Sequence, residues 1–352
     1  MADATHLRWP AVRGGALALL AAVLFGISTP LVQHAGRGVG PFATAALLYA
    51  GAAIIGAFLR RSVTREAALR RRDLPRLAWM AFFGAGLGPV ALAWGLQHTS
   101  GTSASLMLAL EALFTAVLAW WFYREVMDRR VWAAMMLLLA GGVVLIIDRG
   151  LTGGVQLVGL LAVFAATVAW GVDNTLSRAL AERDPAQVVF TKALLGATAT
   201  AALAFATREA LPIRASAVAL LIVGATGYGL SLRFYLLAQR AFGAARTGSV
   251  FAFAPFVGAL LAIAIGDRSL SLGMALGGLL MLSGVALHLA ESHSHEHEHE
   301  LLAHEHAHSH DDGHHDHEHD PVPHGTHSHP HVHLPVRHTH AHVPDAHHGH
   351  QH

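Results

Sequence analysis

Residues 97–118, QHTSGTSASLMLALEALFTAVL, return 142 positions later as residues 239–260, QRAFGAARTGSVFAFAPFVGAL. Gln97 falls on Gln239, Gly101 on Gly243, Phe114 on Phe256 and Leu118 on Leu260. At the same offset Glu125 meets Asp267, Gly142-Val143 meets Gly284-Val285, and Leu145 meets Leu287. Upstream the offset is 145, setting Phe25-Gly26-Ile27 on Trp170-Gly171-Val172, and it is 144 at Pro41 and Pro185. Each copy carries five apolar spans. Five is odd, so the second copy enters a membrane with the opposite orientation to the first. Inverted repeats of this kind are the architecture of secondary transporters, whose halves alternate access to a site between them.

The spans read at about 14–33, 41–59, 77–96, 102–122, 131–147, 157–177, 187–206, 217–238, 247–266 and 271–290, each near the roughly 20 residues that cross a hydrocarbon core. The fifth is the shortest of the ten. Apolar residues make up 53% of the chain although its last 60 residues are almost wholly polar. No span shows the wide polar face of a soluble helix. The expected fold is therefore all-α and integral to the membrane: ten transmembrane helices as two inverted five-helix repeats (1–149 and 150–290), followed by a disordered tail, 291–352. The chain has no cysteine, which removes disulfides and thiolate metal sites.

Arginine sets the orientation. With a cytoplasmic N-terminus, sixteen arginines fall on cytoplasmic segments, among them the run from Arg60 to Arg76. Five fall outside: Arg37, Arg149, Arg208, Arg214 and Arg268. Both termini are thus expected in the cytoplasm of an inner-membrane, multi-pass protein. The 60–76 run beside a span end reads as a topology signal on anionic lipid, and no nucleic-acid partner is expected. The first span has an internal counterpart at 157–177, so it reads as a span and not as a cleaved leader.

With these residues in view the chain resembles the drug/metabolite transporter superfamily, specifically the EamA-type permeases. The matching features are an aromatic-Gly pair in the first span of each unit (Phe25-Gly26, Trp170-Gly171) and a proline opening the second (Pro41, Pro185). A basic residue follows seven places after that proline in the second copy, Lys192. Pro255 precedes Asp267 by twelve places, and a Gly-Val lies near the end of each fifth span. The first copy departs twice, with Leu113 in place of Pro255 and Leu48 in place of Lys192. The resemblance covers roughly 14–290 and implies substrates among small metabolites, amino acids or drugs. A lipid bilayer and a small-molecule substrate are the expected partners, with the protein a monomer or homodimer.

Polar residues inside the spans are costly there and tend to face the bundle interior. Glu111 lies mid-way along span 4. Asp173 and Asn174 sit in span 6 where the first copy has Ser28 and Thr29, and Trp170 lies deep enough to stack on a substrate. Lys192, the only lysine, lies in span 7 and Arg233 in span 8. Two readings of Glu111 stand side by side: a protonatable group that couples proton movement to transport, or a structural partner of Arg233 or Lys192. Those two cations either snorkel to the cytoplasmic side or hold a substrate carboxylate. Asp173 either shares in coupling or pairs with a basic neighbour. Pro30 and Pro255 free backbone carbonyls in spans 1 and 9 and are candidate markers of a cavity.

The tail holds 24 histidines in its last 60 residues, with ten carboxylates and one arginine. It cannot bury a core. Histidines recur at every second position in four runs: His293, His295, His297 and His299; His304, His306, His308 and His310; His329, His331 and His333; and His338, His340 and His342, with His314, His315, His317 and His319 as further candidate metal ligands. In an extended chain this spacing puts imidazoles on one side, where they can share zinc, nickel, cobalt or copper. The body requires no cofactor. Two His-Glu-x-x-His matches, at 295–299 and 304–308, are discounted as zinc-protease motifs, because that chemistry needs a rigid helix beside a dry cleft.

Three functions fit this pattern: a permease for a small organic metabolite with a metal-binding tail, a divalent-metal permease whose tail collects nickel, cobalt or zinc, and a non-transporting membrane metal sensor. The spans hold almost no metal-ligand cluster, and an inverted repeat suits a carrier better than a sensor, so the first is favoured. No catalytic constellation is present and no enzyme activity is expected.

Overall fold

A computed structural model of the chain describes residues 8–60, 67–123, 127, 129–180, 183–210, 212–242 and 244–289, and in the tail 294–298, 302–308, 327–333 and 337–341. The body is helical. Nine helices among the described residues are long and apolar enough to cross a membrane. Spans 1 to 5 are Arg13–Ala35, Pro41–Phe58, Arg71–Leu96, Gly101–Phe122 and Arg129–Leu151, and spans 6 to 9 are Gly154–Leu180, Pro185–Ala206, Arg214–Gln239 and Thr247–Ala264. The tenth, Leu272–His288, is shorter. The fifth span, expected to be the shortest, runs on through Asp148 and Arg149. These charges are held at its end, where Arg149 reaches the Ser269 carbonyl at 2.8 Å and Asp148 accepts from the Ser271 hydroxyl at 2.7 Å.

The halves exchange partners. Span 1 packs on spans 8 and 9 of the other copy, and its repeat mate, span 6, packs on spans 3 and 4. Span 2 lies along span 7, and span 5 along span 10. Small residues make these approaches possible: a Cβ on Gly141 would stand 2.6 Å from the Gly277 carbonyl oxygen, so the backbones of spans 5 and 10 meet with no side chain between them. Carboxylates from the second half also cap helix starts in the first. Glu209 accepts from Phe42 N and Ala43 N at 3.2 and 2.7 Å, and Asp267 accepts from the Thr102 backbone N–H at 2.9 Å and its hydroxyl at 2.8 Å. Each fills orphan N–H groups at a positive helix end.

Four spans are interrupted, in matched pairs. Spans 3 and 8 each widen into a π-helical turn, at Ala81–Leu87 and Gly224–Leu230. Spans 4 and 9 each break into two helices, Gly101–Met107 with Leu110–Tyr123, and Ala244–Phe251 with Ala254–Ala264. Pro255 stands in the first turn of the restarted helix, where its missing N–H costs nothing. The first copy makes its break without a proline.

In the tail, the described stretches form two antiparallel ribbons. Strand β1 (Ser294–Glu298) pairs with β4 (Arg337–Ala341), and β2 (Leu302–His308) with β3 (His327–His333). The strict two-residue alternation of histidine suits an extended backbone. The register sets His295 opposite His340 and His297 opposite His338, and then His304, His306 and His308 opposite His331, His329 and His327. His293, His299, His310, His314, His315, His317 and His319 lie outside the described residues.

Candidate functional site

The interruptions converge on one small chamber of about 50 Å³ between the halves. That is room for a few waters. Five of the six residues singled out in the spans line it: Glu111, Trp170, Asp173, Asn174 and Lys192. Arg233 does not, although it shares a helix with the lining residues Ser231, Leu232 and Tyr235.

Lys192 is 2% exposed and Asp173 5%, and the ammonium donates to Asp173 Oδ2. Lys192 turns inward to a carboxylate and does not snorkel, and Asp173 has its basic neighbour. Glu111, 9% exposed, stands in the first turn after the break in span 4 and accepts from Asn174 Nδ2 at 2.6 Å. Asp173 Oδ1 has no hydrogen-bond partner among the described residues, a costly arrangement for a buried acceptor.

The π-turn of span 3 supplies the site's backbone. The Gly84 carbonyl oxygen accepts from Trp170 Nε1 at 3.0 Å and from the Tyr49 hydroxyl. Phe25, the repeat mate of Trp170, meets it edge-on with ring centroids 5.5 Å apart. Tyr228 packs edge-on against both Phe25 and Tyr49, at 5.9 and 5.5 Å. Phe251 closes on Phe25 and Tyr235 at 5.4 and 5.0 Å. Apart from Trp170, these aromatic residues were not singled out as site residues in the sequence, yet a signal existed. Phe25 aligns with Trp170, and Gly84-x-Gly86-Leu87 recurs as Gly227-x-Gly229-Leu230 at the two π-turns.

The repeat is chemically lopsided here. The counterparts of Asp173, Asn174 and Lys192 are Ser28, Thr29 and Leu48, and at the offset of 142 Glu111 falls on Phe253. At most one member of each matched pair is ionisable: Asp173 and Lys192 come from the second copy and Glu111 from the first. A larger vestibule of about 780 Å³ opens elsewhere, among the ends of spans 1, 3 and 9 and the start of span 4. Pro30, His34, Arg37, Asp267 and Arg268 line it. Pro30 thus does mark a cavity wall. Burial works to raise the Asp267 carboxyl, but hydrogen bonds from Ser269 and Thr102 outweigh it and hold the group below the usual carboxylate range. Among the described residues no three His, Asp or Glu side chains are grouped to hold a metal ion.

Comparison with known proteins agrees with this architecture. A protein of Methanothermobacter thermautotrophicus (strain Delta H) described as an uncharacterized transporter is 26% identical over 288 residues, which is 76% of this chain and 83% of that one. A solved crystal structure superposes with a TM-score of 0.60 at 21% identity, covering 79% of this chain and 94% of its own, a likeness of fold. The sequence model of the EamA-like transporter family matches twice, at residues 12–147 and 157–290, once on each repeat. The chain is thus a multi-pass membrane protein that belongs to the EamA-like transporter family.

Proposed function

We propose that this protein is a secondary transporter that moves a small organic metabolite by alternating access, with Glu111 as the titrating group that couples proton movement to substrate movement. The observation that carries this reading is the buried Lys192–Asp173 and Asn174–Glu111 pairing at the meeting point of the broken spans. Charged groups are retained at such depth where a substrate or ion must pass, and discontinuous helices at a repeat interface are where carriers bind their cargo. The chamber, at about 50 Å³, has room for only a few waters, whereas the vestibule is about 780 Å³. That contrast fits one limb of an alternating cycle. The orientation follows the arginine count, with both termini in the cytoplasm of an inner membrane and the vestibule facing out.

The test is transport in proteoliposomes under an imposed pH gradient. Glu111→Gln keeps shape and hydrogen bonding but removes the titrating proton. It should abolish gradient-driven accumulation while leaving substrate exchange. Accumulation that survives in a well-folded Glu111→Gln protein would overturn the coupling role. Labelling of a cysteine placed at Ser294 by an impermeant reagent in intact cells would overturn the orientation.

The tail supports a second, separable role in binding a divalent transition metal such as zinc, nickel, cobalt or copper. Its support is the ribbon register, which sets histidine opposite histidine at five rungs. Protons compete with metal for imidazole nitrogen. Calorimetry on the full chain should therefore show binding at pH 7 that is lost at about pH 5 and that disappears when residues 291–352 are deleted.

A further inference from the structure

The chamber's charge and hydrogen-bond inventory points to the chemistry of what it holds. Its lining offers two carboxyl groups, Glu111 and Asp173, against one ammonium, Lys192. Asp173 and Lys192 are already paired with each other. Glu111 is left with an amide N–H as its partner in place of a cation. Most donors that an anionic ligand would need are engaged inward, Trp170 Nε1 and the Tyr49 hydroxyl on the Gly84 carbonyl and Asn174 Nδ2 on Glu111, and the Tyr228 hydroxyl is the one left without a partner among the described residues. The larger spare capacity lies on the acceptor side. Asp173 Oδ1 is buried with no partner among the described residues, and a carboxylate has about four lone-pair sites, of which Glu111 uses one in the hydrogen bond from Asn174.

The rest of the wall is aromatic. Phe25, Tyr49, Trp170, Tyr228, Tyr235 and Phe251 all border the chamber, and their mutual packing is mostly edge-to-face. An edge-to-face cluster presents ring faces as well as edges, and a ring face is the electron-rich side. A carboxyl group set among aromatic faces is a receptor for a positively charged nitrogen, which gains from both and needs no donor from the protein. An anion would meet like charge at Glu111 and displace the Asp173–Lys192 pair.

We propose that the substrate of this transporter carries a cationic nitrogen, a protonated amine or a quaternary ammonium, which docks on Glu111 within this aromatic wall. The proposal rests on the transporter reading and narrows it to a chemical class. At about 50 Å³ the chamber is too small for such a group, so docking requires it to widen.

The test is binding to the purified full chain in nanodiscs, measured by calorimetry with two probes of similar size, phenethylammonium and 3-phenylpropionate. Phenethylammonium should bind, and 3-phenylpropionate at least tenfold more weakly. Glu111→Gln should weaken phenethylammonium at least tenfold, and Phe251→Leu, which removes a ring and keeps an apolar side chain, at least threefold. Binding of 3-phenylpropionate as tight as that of the amine would overturn the proposal, as would phenethylammonium binding unchanged by Glu111→Gln. No binding of either probe would overturn it too. Failure of the two readings is distinguishable. Transport of the carboxylate alone leaves a carrier without this specificity, whereas Glu111-dependent binding of the amine with no flux leaves the specificity without a carrier.

Discussion

The carboxyl group of Asp173 occupies the space that a side chain on Gly84 would fill: a Cβ built there would lie 2.2 Å from Asp173 Oδ2. The ion pair between spans 6 and 7 therefore exists by leave of a missing side chain on span 3. Gly86, two residues on, has nothing closer than 3.5 Å around its own Cβ position. Gly84→Ala should push Asp173 off Lys192 and destabilise the protein by about 3–5 kcal/mol, the range for breaking a buried pair. Gly86→Ala should be near neutral. Thermal unfolding of the two variants beside the parent protein checks this, and equal midpoints for both would refute the steric coupling.

Lys192 and Asp173 should also show a strong double-mutant interaction. Lys192→Met alone leaves a buried carboxylate without its cation, and a loss of about 3–5 kcal/mol is expected. Adding Asp173→Asn removes the orphaned charge and should recover most of that loss. Stability measured across the four-protein cycle decides the matter, and additive effects would show that the pair is not coupled.

At the vestibule, Asp267 should make stability depend on pH in the acid range. Its carboxyl is held below the usual carboxylate range in the folded protein. The stabilisation is therefore fully present above the unfolded value of about 3.9, and is lost as pH falls through the lower folded value. The difference in unfolding midpoint between the parent protein and Asp267→Asn should be constant near neutral pH and shrink below about pH 4. A difference that grows on acidification would contradict the sign.

Gly40 offers a fourth check, on helix capping across the halves. A Cβ there would fall 2.1 Å from the carboxyl carbon of Glu209, the group that caps Phe42 N and Ala43 N. Gly40→Ala and Glu209→Ala should each cost about 1 kcal/mol, as loss of an N-cap does. The double variant should cost little more than either alone.

The large features of this protein were legible because they rest on composition and repetition. Ten spans follow from apolar length, and the inverted arrangement from an odd number of spans per copy. Glu111, Asp173, Asn174, Lys192 and Trp170 could be picked out because a polar or bulky group at depth is unusual in its immediate neighbourhood of sequence. Their pairing was not legible. Lys192 and Asp173 are only 19 residues apart, yet nothing local tells whether an inward lysine chooses Asp173, Glu111 or the membrane surface. The aromatic wall was hidden for a different reason. Phe25, Tyr49 and Phe251 are ordinary residues for an apolar span, and only the crossing of spans from opposite halves makes them neighbours. The π-turns leave no hydrophobic signature at all, since a widened helix keeps its residues apolar. In the tail, composition speaks to the absence of a core and not to whether an alternating strand finds a partner.

The exchange of partners between the halves has a consequence for how the chain is made. Ser231 in span 8 donates a hydrogen bond to the Ala21 carbonyl in span 1, across 210 residues of sequence. At about 5–20 residues per second, a ribosome takes roughly 10–40 s to deliver that partner after span 1 has entered the bilayer. Through that interval span 1 has lipid where spans 8 and 9 will later sit. A nascent chain stalled after its first five spans would be inserted but not assembled, with its glycine-lined grooves open to any passing helix. Each repeat is thus a unit of membrane insertion, while the unit of folding is the whole body, and quality control has a long window in which to sample the unfinished half.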